Sequence, residues 1–124
     1  MKKLIAMILT ALSLNAYSTD PKTAYDMVQK GEAVIIDVRE EDEIKSGMIK
    51  NAKWFPLSKI TKDKTWKEDF KQLVGDKTIF LHCRSGARSE KAMNILKENG
   101  ITSENIGGYE SLKKILPVRE LGIR

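Results

Sequence analysis

The chain contains a single cysteine, Cys83, and its neighbours are the residues best suited to chemistry. The run Ile79-Phe80-Leu81-His82 is largely apolar and β-forming, and it stops at the cysteine. A short segment with Gly86 and two arginines follows, Arg84-Ser85-Gly86-Ala87-Arg88-Ser89, and then a helical pattern begins. A thiol held between a strand end and a helix start sits where backbone N–H groups converge. Those donors favour an anion, and so favour thiolate over thiol. The ordinary fate of a lone cysteine is to be a small buried hydrophobe. The polar flanks Arg84, Ser85, Gly86 and Ser89 suit a loop mouth better than a core, and two nearby cations further support a thiolate. The reading is therefore a nucleophilic cysteine in an anion-binding loop.

Four segments, in order and in register, resemble the rhodanese family of sulfurtransferases. Cys83 to Arg88, Cys-Arg-Ser-Gly-Ala-Arg, is similar to that family's six-residue active-site loop. Val34-Ile35-Ile36-Asp37-Val38-Arg39 resembles its strand ending in Asp-Val-Arg. Gly47-Met48-Ile49 through Ala52 to Pro56 resembles its Gly-His-Ile…Ala…Pro segment, and Ile106-Gly107-Gly108-Tyr109 its late Gly-Gly-aromatic turn. The subtype most resembled is the small secreted, periplasmic single-domain rhodanese. Met48 stands where the family often has His, Asn51 where it often has Gly, and Leu112 near a frequent Trp. The resemblance implies an α/β fold, one rhodanese-like domain with a mainly parallel central sheet flanked by helices. It implies that Cys83 takes the outer sulfur of a donor such as thiosulfate as a persulfide, and gives it to cyanide, a thiol or a thiol-bearing protein. Arg84, Ser85, Gly86, Ala87, Arg88 and Ser89 would bind the substrate, through loop amides that stabilise anions and guanidiniums that hold a dianion.

Other candidates are weaker. Asp37 and Arg39 stand at another strand's carboxyl end, the end where α/β sheets place their sites; structural roles near the site are expected, with Arg39 paired to a carboxylate. His82 invites a Cys–His pair, but adjacent strand residues point to opposite faces. One Cys and one His fall short of the ligands zinc needs. No metal or cofactor is expected, and Gly107-Gly108 is read as a tight turn. Two rivals remain: a cysteine phosphatase or arsenate reductase on a related fold, and a non-enzymatic persulfide carrier. A cysteine phosphatase has arginine after five intervening residues, whereas here Ser89 lies there and Arg88 comes one place early.

Positioning these residues requires alternating strands and helices. Pro21 to Gly31 reads as a helix capped by Thr19 or Asp20. Ala33 to Val38 is a continuous apolar run, as for a strand buried on both faces. A short acidic helix is expected over 40–46, a strand over 53–55, a helix over 66–73 and the cysteine-bearing strand over 77–82. Arg88 to Asn99 reads as a helix, Ser103 to Ile106 as a short strand, and Tyr109 to Ile115 as a closing helix. Lysines scattered over 59–71 read as a solvated face. The alternation predicts one α/β domain with a mainly parallel sheet.

Length and composition agree with one domain: 124 residues, 41% hydrophobic and 31% charged. The net charge is +5 with both signs interspersed, which argues against nucleic acid as a partner. Lys2-Lys3, the apolar stretch Leu4 to Leu14 and the exit Ala16-Tyr17-Ser18 together read as a bacterial secretory signal. The expected domains are residues 1–18 as signal peptide and 19–124 as the rhodanese-like domain, a periplasmic monomer without stable membrane insertion after cleavage. An unpaired cysteine in an exported chain is read as reactive or intermolecular.

Overall fold

The structure is a computed structural model and describes residues 19–121. The expected signal peptide, residues 1–18, lies outside the described residues. A four-stranded, wholly parallel sheet runs through the middle, with helices on both faces. Helix α1 (Pro21–Gln29) starts where the Asp20 carboxylate accepts the N–H groups of Lys22 and Thr23, with Pro21 preset in the first turn. Strand β1 (Ala33–Asp37) is buried throughout. It lies between β3 (Lys53–Trp54) and β4 (Thr78–Cys83), and β5 (Glu104–Gly108) completes the order β3-β1-β4-β5.

Strand alternation sorts the core into two layers. Val34, Ile36 and Val38 of the β1 segment and Ile79, Leu81 and Cys83 of β4 face one side. They pack on α3 (Leu57–Lys62), α4 (Trp66–Val74) and α5 (Ala87–Glu98) through Leu57, Ile60, Phe70, Val74, Ala92 and Leu96. Ala33, Ile35 and Phe80 face the other side, against Ala24 of α1 and Tyr109 and Leu112 of α6 (Tyr109–Leu112). Cys83 and His82 thus point into opposite layers.

Three elements go beyond the sequence expectation. β2 (Met48–Ile49) and β6 (Val118–Arg119) form a separate antiparallel pair. α3 occupies part of the lysine-rich segment: its lysines lie on the solvated side as expected, while Leu57 and Ile60 point inward. Gly107 and Gly108 belong to β5 and are not a free turn. The pairing runs Leu81↔Asn105 and then Cys83↔Gly108, so β5 carries one extra residue over that interval. Gly107, at φ 110°, supplies the left-handed backbone there, as in a bulge. Asn51 also has a positive φ, 71°, a conformation glycine takes without strain and asparagine tolerates. That accounts for Asn at a position where the resembled family often carries Gly.

Candidate active site

Cys83 ends β4, and the loop to α5 closes over it so that the residue has no exposed surface. Gly86 is left-handed at φ 105°, which turns the chain back and aims its amide at the thiol. The Gly86 N–H donates to Cys83 Sγ at 3.0 Å, and Ser89 Oγ lies 3.5 Å from the same sulfur. Burial opposes ionisation of the thiol. The Ser89 hydroxyl and the amides of Ser89, Gly86 and Ser85 outweigh it, and the pKa falls below an ordinary thiol's. The expected convergence of N–H donors on Cys83 is present. The side chains of Arg84, Ser85 and Ala87 face outward in part or whole, so Ser85 serves the sulfur through its backbone.

A residue the sequence reading missed holds this loop in shape. Asn105 of β5 is buried; its Nδ2 donates to Gly86 O at 2.9 Å. Its Oδ1 accepts from Ser89 Oγ at 2.8 Å and from Gly107 N at 3.0 Å. One side chain therefore ties the loop, the first turn of α5 and the β5 bulge together. Its only signal in the sequence was an asparagine inside the expected strand, just before Ile106 and the Gly-Gly pair. Ser89 Oγ, with one proton, also lies 3.1 Å from Gly86 O, so its bond to Sγ competes with shorter ones. Gly108 lies beneath the loop, where a Cβ would come within 2.3 Å of Arg84 O and 2.6 Å of Ser85 Cα.

The two loop arginines have different surroundings. Arg88 makes a two-pronged pair with Glu43 of α2 (Glu41–Ile44), both N···O distances being 2.6 Å. Arg84 is largely exposed, with Nε 3.9 Å from Glu43 Oε2. Glu43 also accepts the Glu40 N–H at 3.0 Å, closing the first turn of α2. Hydrogen bonding from Arg88 is the main cause that lowers the Glu43 pKa to about 2. Glu43 looked, in the sequence, like one more carboxylate of an acidic helix.

Asp37, Arg39 and His82 form a polar cluster in the layer away from Cys83. Arg39 grips Asp37 through Nε, at 3.0 and 3.1 Å, and Nη2, at 2.8 Å, and both residues are buried. Nη2 also donates to Gly47 O at 2.7 Å, and the guanidinium stacks 3.9 Å above the Tyr109 ring. This is the expected carboxylate partner for Arg39, and it ties β1 to the loop before β2 and to α6. His82 packs nearly parallel to Tyr109, with Nδ1 3.0 Å from Cys83 O and Nε2 3.6 Å from Asp37 Oδ2. Burial lowers its pKa, so the ring is neutral at physiological pH. His82 touches its neighbour's carbonyl and not the thiol, so no Cys–His pair exists. Among the described residues, no group of three or more His, Cys, Asp or Glu side chains is arranged to hold a metal ion.

The rhodanese-like domain family matches residues 20–114, most of the chain. The chain belongs to that family. A mitochondrial protein of Schizosaccharomyces pombe, named as a candidate thiosulfate sulfurtransferase, is 39% identical over 83 residues, covering 61% of this chain and 57% of its own. The tRNA uridine(34) hydroxylase of Rickettsia typhi is 29% identical, covering 80% of this chain but 41% of its own. Among solved structures, a rhodanese-related protein from Thermoplasma volcanium superposes with a TM-score of 0.66 at 27% identity, covering 83% of this chain and 97% of its own. This rhodanese-like chain spans between two fifths and three fifths of the length of the curated relatives described. Family and fold agree with the resemblance read from the four sequence segments, and the family is one of sulfurtransferases.

Proposed function

We propose that this rhodanese-like protein is a thiosulfate-type sulfurtransferase that works through a Cys83 persulfide. The observation that carries the reading is the Gly86 amide aimed at a buried Cys83 sulfur whose pKa is lowered by its loop. In the first half-reaction the Cys83 thiolate attacks the outer sulfur of thiosulfate. The S–S bond of the donor breaks, sulfite leaves with the electron pair, and Cys83 carries a persulfide anion. In the second, a thiophilic acceptor such as cyanide or a thiol attacks the outer sulfur and restores the thiolate. The loop amides stabilise sulfur anions in both states, which ties the two steps to one cradle. Arg84, exposed beside the loop, meets the anionic donor, and Arg88 braces the loop through Glu43.

The phosphatase rival fits less well. Its arginine would have to embrace substrate, whereas Arg88 comes one residue early and is engaged by a carboxylate. The carrier rival shares the first half-reaction and differs only in its acceptor. The likeness to a tRNA hydroxylase covers a minority of that protein's length and supplies no second activity here. The periplasmic location and cleavage after Ser18 remain part of the proposal, resting on the Lys2-Lys3 start and the small-residue exit. The deciding experiment is mass spectrometry of purified protein after thiosulfate, without acceptor. A gain of about 32 Da at Cys83, one sulfur atom, reversed by cyanide, is expected. Cys83→Ser should abolish both the gain and thiosulfate:cyanide turnover while the fold is kept. Turnover surviving in Cys83→Ser would overturn the mechanism, and a persulfide that only proteins discharge would establish the carrier.

A further inference from the structure

Two guanidiniums flank the Cys83 loop, yet they do not act as two free charges. The Arg88 side chain is one-third exposed and wholly engaged by Glu43. Glu43 also lies 3.9 Å from the guanidinium of Arg84, whose side chain is 67% exposed, so a single carboxylate acts on both cations. Glu40 adds further negative potential at Arg88 while its own oxygens accept from Ser58 N and Ser58 Oγ. One further charged pair lies beside the loop. Glu110, whose amide donates to Arg84 O, is itself paired with Lys113 at 3.0 Å. A cavity evolved around a dianion gains most from unopposed positive charge. This loop instead places a carboxylate against its cations. With a pKa of about 2, that carboxylate stays ionised at any physiological pH.

We propose that Glu43 is a specificity-determining residue that masks Arg88 and tempers Arg84, biasing sulfur loading of Cys83 toward singly charged donors of the alkyl persulfide class over dianions such as thiosulfate. This rests on the sulfurtransferase reading and refines its donor. The loading step is balanced: the Cys83 thiolate attacks the outer sulfur of RSS⁻, the inner S–S bond breaks, RS⁻ leaves with the electron pair and takes a proton from water, and Cys83 carries the persulfide anion. One unit of charge change at the mouth acts on a dianion twice as strongly, in free energy, as on a monoanion. A shift in mouth charge therefore changes the ratio of the two donors as well as their rates.

The test is a charge cycle on the full chain: wild type, Glu43→Gln, Arg88→Gln and the double variant. Each is loaded with thiosulfate and with an alkyl persulfide bearing no other charged group. Gln at position 43 still accepts the Glu40 N–H, so α2 keeps its first turn. Glu43→Gln should raise loading by thiosulfate about tenfold and by the alkyl persulfide about threefold, with the difference shrinking at high salt. Arg88→Gln should move both the opposite way. The double variant, with the wild-type net charge, should return close to wild-type ratios. Melting curves recorded alongside separate loss of fold from change of preference. A Glu43→Gln variant that loses both donors equally would overturn the inference and leave Glu43 as a brace. A double variant as poor with thiosulfate as Arg88→Gln would overturn it too, because Arg88 would then touch the donor itself. Absence of sulfur on wild-type Cys83 from either donor would refute the sulfurtransferase reading beneath it.

Discussion

Replacing Gly108 by alanine adds one methyl group in the position least able to receive it. Gly108 has φ −123° and ψ 153°, ordinary extended backbone that alanine adopts freely. Conformational strain at the residue therefore contributes nothing, and the effect is steric. The new Cβ would lie 2.3 Å from Arg84 O, 2.6 Å from Ser85 Cα and 2.7 Å from Arg84 C, closer than real Cβ contacts come. All three atoms are backbone, so no side chain can swing away. Either β5 or the loop must retreat by most of an ångström. Overpacking of this kind costs about 2–3 kcal/mol, and a loop that retreats takes its amides off the sulfur. Gly108→Ala should lower stability by that amount in denaturant unfolding. It should also raise the Cys83 pKa toward that of an ordinary thiol, read from the ultraviolet absorbance of the thiolate across pH. The Cys83 shift is the sharper measure, because a uniformly loosened core would not produce it selectively. Wild-type stability together with a wild-type thiol titration would refute the claim that β5 backs the loop this closely.

Two further predictions concern the thiol and its scaffold. Ser89→Ala removes the hydroxyl 3.5 Å from Sγ and leaves the loop amides, so the thiolate should appear at higher pH than in wild type; an unchanged titration would show that the Ser89 proton stays with Asn105 even after Cys83 ionises. Arg39→Lys keeps the charge but cannot reproduce a grip through Nε and Nη2 together with the stacking on Tyr109, and should cost about 1.5–3 kcal/mol in denaturant unfolding; a loss under 1 kcal/mol, the scale of an exposed ion pair, would refute the structural role.

The parts of the fold that could be read from the sequence were those in which local pattern and environment coincide. β1 and β4 are short apolar runs because both their faces are covered, and the Asp20–Pro21 start of α1 carries its own cap. Cys83 was legible for the same reason: its strand, its glycine and its helix are contiguous, so the cradle is local. Asn105 was not, because its meaning lies in Gly86, 19 residues away along the chain. Glu43 was hidden among the acidic residues of α2 until the fold brought Arg88, 45 positions later, against it. The β2–β6 pair escaped because two-residue strands carry no periodicity. Gly107-Gly108 looked like a turn because a bulge and a turn both need left-handed backbone, and only pairing with β4 tells them apart.

The enclosure of Cys83 also decides a question of regiochemistry. A persulfide offers an attacking thiolate two electrophilic sulfurs. Attack on the outer one passes a sulfur atom onward and returns the cysteine. Attack on the inner one expels hydrosulfide and traps the enzyme as a mixed disulfide. Sγ here has no exposed surface, being covered by its own loop and backed by β5. In-line attack on the inner sulfur has to come from the side opposite the outer one, where the enclosing protein leaves no room for a second thiol and its carbon, whereas donor and acceptor need reach only the outer sulfur's side. On the proposed reading, the loop whose donors lower the Cys83 pKa also, by enclosing the sulfur, makes the product of each encounter single-valued: the acceptor leaves with sulfur, and the enzyme leaves with its thiolate.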